Sequence, residues 1–306
     1  NTGIHQFNVE SGAELLALSQ VALSLGQVAP VALRVNPDVA AGGHPNISTG
    51  KAGDKFGVPW ADAPALYDQM KTLPGVEAVG VDVHIGSQIG ELAPMRAAFE
   101  KTIGLVKRLR EDGHDLKRID LGGGLGIPYQ ASDAPAPPSD YAQMIRDVTE
   151  GLGLQVILEP GRVIAGNAGV MVSEVLYHKP APDRTFMIID AGMNDLMRPA
   201  LYQAHHDILP VDEPATDGAQ TSYDIVGPIC ESTDKFAATR AMPEVQPGAR
   251  IAFMSSGAYG AVLSSQYNAR PLVAEVLVDG TQYAVVRRRP SFEEMTELEQ
   301  TPDWLT

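Results

Sequence analysis

Short apolar runs alternate with amphipathic helical stretches through the first 166 residues, and this alternation limits the possible folds more than any other feature. The runs are mostly β-branched, as strands buried on both faces are, and they lie at residues 6–10, 31–36, 79–85, 118–121 and 155–159. Repeated strand–helix units join parallel neighbours through right-handed crossovers. The pattern therefore predicts an α/β fold with a parallel sheet or barrel.

Two helices are predicted between these runs. Ser11 and Glu14 have the spacing of a capping box, and the apolar stripe that begins at Leu15 and includes Leu25 ends at Gly26. The second helix runs from about residue 94 to residue 113. Five strands are too few for an eight-stranded barrel, and at roughly 30 residues per strand–helix unit about 100 residues are lacking. We therefore expect a (β/α)8 TIM barrel whose N-terminal strands are missing from this chain.

The pattern changes after about Gly166, where short strand candidates follow one another without long helices between them. They lie at residues 170–177, 185–190, 223–229, 250–255, 273–279 and 282–288, which predicts a mostly antiparallel β domain. We assign residues 1–166 to the C-terminal part of the barrel and residues 167–306 to a β-barrel-like or sandwich-like domain. Residues 131–138 and the acidic segment 210–219 are predicted surface loops.

Composition excludes several classes of protein. A net charge of −15 argues against nucleic acid or an anionic membrane as a partner. Cys230 is the only cysteine, which excludes an internal disulfide and fits a reducing compartment. No apolar run reaches the ~18 residues of a membrane span, and no secretory signal pattern is visible. We expect a cytoplasmic, metabolite-handling protein that holds anionic substrate groups with locally placed arginines.

Three motifs follow predicted parallel strands, at the ends where barrel enzymes assemble their sites. They are H-I-G-S-Q with His84 and Ser87, G-G-G-L-G with Gly123 and Gly124, and E-P-G-R with Glu159, Pro160, Gly161 and Arg162. Successive glycine amides can converge on a phosphate, a carboxylate can keep a pyridine nitrogen protonated, and an arginine can grip a carboxylate. A tight turn, a strand exit and a structural histidine are the alternatives.

The second half of the chain adds three candidates. Arg198 and Tyr202 share a face if their segment is helical, so that both can clamp one carboxylate. Acidic neighbours disfavour a thiolate at Cys230 and suit it to donating a proton, although a lone cysteine is more often a small buried hydrophobe. Tyr259 lies on a glycine-flanked turn and can reach a phosphate or carboxylate. No metal site is predicted, because Cys230 has no second cysteine and adjacent His205 and His206 cannot share a helix face.

The order of these motifs resembles that of the alanine-racemase-like barrel decarboxylases, which have fold type III and use pyridoxal phosphate. M-R-P-A-L-Y, C-E-S and G-A-Y-G-x-x-x-S-S-x-Y-N, together with R-V-N-P-D at residues 34–38, S-T-G-K at 48–51 and K-F-G at 55–57, resemble the diaminopimelate decarboxylases within that group. The similarity covers essentially the whole chain. It implies decarboxylation of meso-diaminopimelate to L-lysine and carbon dioxide, with pyridoxal phosphate as cofactor.

The resemblance also implies a role for each candidate residue. His84 would stack on the cofactor ring and Glu159 would bond its pyridine nitrogen, within the cofactor-binding E-P-G-R motif that includes Pro160 and Arg162. The expected phosphate ligands are Ser87, the Gly123 and Gly124 amides, Gly161 and Tyr259. The expected ligands of the substrate carboxylate are Arg162, Arg198 and Tyr202, with Tyr259 nearby.

The remaining implied roles concern the reacting carbon and the far end of the substrate. Glu231 would recognise the distal amino group, and Cys230 would protonate the carbon that lost carbon dioxide. In such enzymes the active site lies at a homodimer interface, and the second subunit contributes the cysteine–glutamate pair. We therefore expect a homodimer with shared active sites.

One departure from the family pattern leaves two alternatives open. The family's Schiff-base lysine lies in a Y-A-x-K-A-N context on the first barrel strand, and this chain has no such segment. Lys51 and Lys55 lie in a different family-typical loop, so we expect that this polypeptide alone cannot form the Schiff base. The alternatives are a sister decarboxylase of ornithine, arginine or carboxynorspermidine, and a non-catalytic homologue. Arg162, Arg198 and Tyr202 argue against the first. The absent lysine favours the second, whereas Cys230 and Glu159 oppose it.

Overall fold

The computed structural model describes residues 3–40, 50, 55–212 and 220–305. The chain divides into two compact units. Unit 1 consists of Asn1–Pro128 and Asp133–Ile164, and unit 2 consists of Tyr129–Ser132 and Ala165–Thr306. Ser48, Thr49 and Lys51 of the family-typical loop, and residues 213–219 of the predicted acidic loop, lie outside the described residues. The domain boundary at residue 166 stays a prediction.

Unit 1 contains a parallel sheet that matches the five apolar runs. Its strands are β1 (Phe7–Val9), β2 (Ala29–Asn36), β3 (Val58–Pro59), β4 (Val76–Asp82), β5 (Arg118–Asp120) and β6 (Gln155–Ile157). The order is β1-β2-β4-β5-β6, with β3 paired to β2, and every described pairing is parallel. The parallel α/β prediction for this part of the chain is confirmed.

Unit 1 has five helices, of which the first three pack on this sheet and the fourth packs on the third. They are α1 (Gly12–Ser24), α2 (Ala63–Met70), α3 (Leu92–Glu111), α4 (Pro138–Thr149) and the short α5 (Arg162–Ala165). Ser11 caps α1 by accepting a hydrogen bond from the Glu14 amide, whereas the Glu14 carboxylate accepts from the amide of Glu10 instead of closing the predicted box. Leu15 is fully buried but Leu25 is 56% exposed, so the stripe on α1 is shorter than predicted.

Unit 2 is built mainly from antiparallel strands, as predicted. They are β7 (Met171–Pro180), β8 (Thr185–Ile189), β9 (Ile208–Pro210), β10 (Gln220–Val226), β11 (Lys235–Pro243), β12 (Arg250–Phe253), β13 (Glu275–Asp279) and β14 (Gln282–Arg287). One sheet has the order β11-β10-β8-β7-β12-β9, in which only the β10–β8 pairing is parallel, and β13 and β14 form a separate hairpin. Two short helices, α6 (Arg198–Tyr202) and α7 (Phe292–Thr296), lie outside these sheets.

Each unit has its own apolar core. In unit 1 the core lies between the sheet and α2 and α3, and it includes the fully buried Leu33, Val81 and Leu109. In unit 2 the core includes Ile189, Ile225 and Phe253 from three strands of the larger sheet. Within the part of the chain that the structure describes, a search for a helix both long and apolar enough to cross a bilayer finds none.

Candidate active site

The three motifs of unit 1 meet where β4, β5 and β6 end. The Val83 amide donates to the carbonyl of Asp120, and the Leu121 amide donates to that of Ile157. Beyond these pairs, the Glu159 amide donates to the Gly122 carbonyl at 2.7 Å. Because parallel strands bring their carboxyl ends to one edge, the register itself places His84, the glycine turn and Glu159 side by side. Sequence analysis predicted this grouping.

The glycine turn requires glycine for steric reasons. Gly122 and Gly124 have φ values of +64° and +101°, which L side chains rarely adopt. A Cβ atom on Gly123 or Gly124 would collide with the carbonyl of Glu159 or Gly86. The turn is therefore a close approach of three backbone segments. Among the described residues, the amide of Gly124 has no hydrogen-bond acceptor.

His84 is held as a neutral ring. Its Nδ1 accepts a hydrogen bond from the Gly123 amide at 3.0 Å, which assigns the ring proton to Nε2. Burial lowers the pKa of His84 to about 4, and the positive charge of Arg34 adds to this effect. A neutral, fixed imidazole suits stacking on a flat ring. The Gly123 amide, expected to bind phosphate, already has His84 as its partner.

This neutral histidine predicts a loss of stability in acid. The pKa of the His84 ring is 6.5 when unperturbed and about 4 in the fold, so below pH 6.5 the unfolded chain takes up a proton that the folded chain does not. The stabilisation is complete above pH 6.5 and is lost as the pH falls towards 4, on the order of 3 kcal/mol. Urea unfolding of wild type and His84→Gln across this range checks it. Equal pH dependence in the two proteins would contradict it.

Glu159 presents its carboxylate at the exposed strand edge. Its Oε1 accepts a hydrogen bond from Asn8 Nδ2 at 3.2 Å. Partial burial raises the pKa of Glu159, as does the nearby charge of Asp120, while Arg34 and the Asn8 hydrogen bond oppose this shift. Asn8 had no predicted role, because it lies on β1, at the opposite end of the strand order from β6.

Arg162 and Ser87 contact each other. Arg162 is the first residue of α5 and is 8% exposed. Its Nη2 donates to Ser87 Oγ at 3.1 Å. The structure therefore joins the H-I-G-S-Q and E-P-G-R motifs through these two side chains. Gly161, between Glu159 and Arg162, leaves its amide without an acceptor among the residues that the structure describes.

In unit 2, Arg198 is fixed by groups that the sequence did not reveal. The segment M-R-P-A-L-Y forms α6, as the shared-face hypothesis requires. Arg198 is 7% exposed, its Nη1 lies 2.7 Å from His206 Nε2, and its guanidinium lies over the Tyr129 ring. His206 Nδ1 is 2.8 Å from the Met254 carbonyl, so the proton on Nδ1 is donated there and Nε2 accepts from Arg198.

The C-E-S segment forms an exposed loop after β10. Cys230 is exposed, so the alternative of a small buried hydrophobe is wrong. The Glu231 carboxylate accepts hydrogen bonds from the hydroxyls of Thr233 and Tyr267, the latter at 2.7 Å, and these two bonds lower its pKa. Glu231 is therefore a fixed anion able to attract an ammonium group. Tyr267 was part of a quoted motif but had no predicted role.

Tyr259 lies in unit 2 on the predicted glycine-flanked turn. Its φ of +57° is in the left-handed region, and the residue is 41% exposed. Gly257 packs so closely on the carbonyl of Ala165 that a Cβ atom would collide with it. The turn is thus held in place by its glycines, and the phenol extends from it.

Comparison with known proteins defines the class to which this fold and these strand-end groups belong. Residues 1–166 match the family of the pyridoxal-dependent decarboxylase, pyridoxal binding domain. A crystal structure of Paramecium bursaria Chlorella virus arginine decarboxylase superimposes with a TM-score of 0.71, covering 86% of this chain and 68% of that one. At 21% identity this second likeness shows the fold alone. The chain is a pyridoxal-dependent decarboxylase by class.

Relatives with higher sequence identity identify the family within this class. The chain is 47% identical over 306 residues to diaminopimelate decarboxylase of Zymomonas mobilis, covering 99% of this chain and 72% of that protein. It is 46% identical to that of Haemophilus influenzae, covering 97% and 71%. The Helicobacter pylori enzyme complexed with L-lysine superimposes with a TM-score of 0.91 at 40% identity, covering 97% and 73%. The chain belongs to the diaminopimelate decarboxylase family. The predicted fold class, a TIM barrel followed by a β domain, is confirmed by these structures.

Proposed function

We propose that the protein decarboxylates meso-diaminopimelate to L-lysine and carbon dioxide with pyridoxal phosphate. The strongest support is a group of three features at one end of the parallel strands of unit 1. They are the neutral imidazole of His84, the glycine turn at residues 122–124 and the carboxylate of Glu159. Solved and curated relatives named diaminopimelate decarboxylase, one of them complexed with L-lysine, support the choice of substrate and product.

The residues of unit 1 fit pyridoxal phosphate chemically. His84 offers a neutral ring face, Glu159 a carboxylate for the pyridine nitrogen, and Ser87 with the Gly124 and Gly161 amides offer donors to a phosphate. When bound, the cofactor supplies an electron sink for the charge left by departing carbon dioxide. Glu159 would strengthen that sink by keeping the ring nitrogen protonated. We infer that Tyr259 keeps its expected role at the phosphate and substrate carboxylate.

The remaining candidates suit a substrate with a carboxylate and an amino group far from the reacting carbon. Arg162, Arg198 and Tyr202 would hold the retained carboxylate and thereby select which carbon reacts. Glu231 would bind the distal ammonium, and the Cys230 thiol would donate a proton to the carbon that lost carbon dioxide. We further propose a homodimer with shared active sites, in keeping with the resemblance.

Analysis of the reaction products of the full-length protein tests the proposal. Carbon dioxide and lysine should form in equal amounts from meso-diaminopimelate, and only when pyridoxal phosphate is present. Release from ornithine or arginine instead would identify a sister decarboxylase. No release from any of these substrates would identify a non-catalytic homologue.

His206 provides a sharper test of the role of Arg198. Because its Nε2 accepts from the buried guanidinium, His206→Ala should release Arg198 and raise KM for meso-diaminopimelate roughly tenfold. His206→Gln keeps an acceptor and should recover most of the affinity. Steady-state kinetics of both variants, with His205→Gln as the control for an exposed neighbour, measure this. A rise in KM shared equally by the Ala and Gln variants would count against it.

A further inference from the structure

Three carboxylates meet beneath the ligand-facing edge of unit 1, and the proposed function uses only one of them. Asp82 ends β4, Asp120 ends β5 and Glu159 follows β6. One carboxylate oxygen from each lies within 4.8 Å of the others. Asp82 and Asp120 are 1% and 2% exposed, whereas Glu159 is exposed. The two aspartates therefore form a buried pair of carboxyl groups behind Glu159.

A single amide group joins Asp120 to Glu159. Asn8 Nδ2 donates to Asp120 Oδ2 at 3.3 Å and to Glu159 Oε1 at 3.2 Å. Asp120 also accepts from the Gly122 amide at 3.0 Å and from Gln6 Nε2 at 3.2 Å. Its position is thus fixed by three donors. Glu159 Oε2 has no donor among the described residues, which leaves that oxygen to a ligand.

Asp82 indicates that the cluster is short of positive charge. Its Oδ1 is buried and has no hydrogen-bond partner within the described part of the chain. Burial, followed by the charges of Asp120 and Glu159, raises the pKa of Asp82 well above its usual range. A buried carboxyl without a donor is stable only when a proton or a cation compensates it. The cluster therefore favours a positively charged group at its open side.

The charges around the cluster do not cancel this preference. Arg34, on the neighbouring strand β2, lowers the pKa values of Asp82 and Glu159. Its guanidinium already pairs with Glu10 at 2.8 Å. The balance of Asp82, Asp120 and Glu159 against the Arg34–Glu10 pair is negative.

We propose that Asp120, backed by Asp82, is a positioning residue that orients Glu159 and helps to keep a proton on the ring nitrogen of the heterocycle bound at Glu159 Oε2. The inference rests on the proposed binding of pyridoxal phosphate. Its physical basis is that a nearby anion favours the protonated form of a neighbouring base, most strongly where water is excluded. A protonated pyridine is the better electron sink, so these aspartates would assist a reaction whose substrate they do not touch.

The test uses pyridoxine 5′-phosphate with ¹⁵N in the ring, bound to the full-length protein. This probe cannot form a Schiff base, and its ¹⁵N chemical shift reports protonation of the ring nitrogen directly. Asp120→Asn should lower the pH midpoint of that nitrogen by about one unit, a tenfold loss of proton affinity. Asn8→Ala breaks the amide link through which Asp120 orients Glu159 and should therefore lower the midpoint as well.

Glu77→Gln is the matched control, since it removes an exposed carboxylate from the other end of the same strand as Asp82. Its midpoint should equal that of wild type. If Asp120→Asn does not fold, Asp82→Asn and Asn8→Ala decide the question by the sign of their shifts. Unchanged midpoints in the folded variants would overturn this inference but not the proposed function. If wild type does not bind the probe, the proposed function fails and the inference fails with it.

Discussion

Replacing Glu159 by glutamine should lower kcat for carbon dioxide release from meso-diaminopimelate by about 10²–10³-fold, the cost of removing one preorganised electrostatic contact. An amide does not favour a proton on the pyridine nitrogen as a carboxylate does, so the charge left on the substrate is delocalised less well. The effect should fall on kcat more than on KM, because the substrate contacts proposed for Arg198 and Glu231 remain. Initial rates at saturating substrate measure it.

Two variants accompany this measurement. Glu150→Gln removes an exposed carboxylate at the end of α4 and should leave kcat unchanged. Glu159→Asp keeps the charge on a shorter side chain and should retain more activity than the glutamine variant. A kcat for Glu159→Gln within threefold of wild type would refute the assignment of Glu159 to the ring nitrogen.

Replacing Cys230 by alanine should lower kcat for lysine formation by about 10²–10⁴-fold, the usual contribution of a positioned proton donor. The thiol is exposed in this chain and adjoins the fixed anion Glu231. Substrate affinity should change little, because the thiol makes no proposed contact with the substrate's carboxylate or distal ammonium. Rates of carbon dioxide and lysine formation, measured in parallel, show whether decarboxylation and protonation are slowed together.

Chemical modification of Cys230 tests its role as proton donor independently of mutation. Cys230 is the only cysteine of this chain, so an alkylating reagent that inactivates the protein can be traced to it by peptide mass. L-lysine should protect it. Alkylation of Cys230 with full retention of activity would exclude it as the proton donor, and Cys230→Ser distinguishes loss of acidity from loss of volume.

The fold of both units could be predicted from local pattern because its signals are local. Apolar β-branched runs become buried parallel strands wherever both faces are covered, and β2, β4 and β5 consist mostly of buried residues. The two-residue strand β3 was missed, because so short a strand has no periodicity. The predicted apolar stripe on α1 was too long, because it included the exposed Leu25. A helical pattern does not show how far the neighbouring sheet extends.

The candidate site was predictable only where glycine, proline or a charge interrupts an apolar run. This signal identified four of the candidates, namely His84, Gly123, Glu159 and Arg162. Asp82 and Asp120 end strands that read as core, so nothing in their neighbourhood indicates a cluster of charge. His206 had no predicted role, since it was considered only when a metal site was excluded. Its hydrogen bond to Arg198 depends on the turn between α6 and β9.

The sequence by itself determined which chemical groups are available and, through strand order, that those of unit 1 lie at one edge. Only the tertiary structure decided which groups touch. Asn8 and Glu159 are 151 positions apart, and their contact depends on register across several strands. Hydrogen bonds and pKa shifts act over a few ångströms in space, whereas the signals readable in a sequence extend over only a few residues of chain.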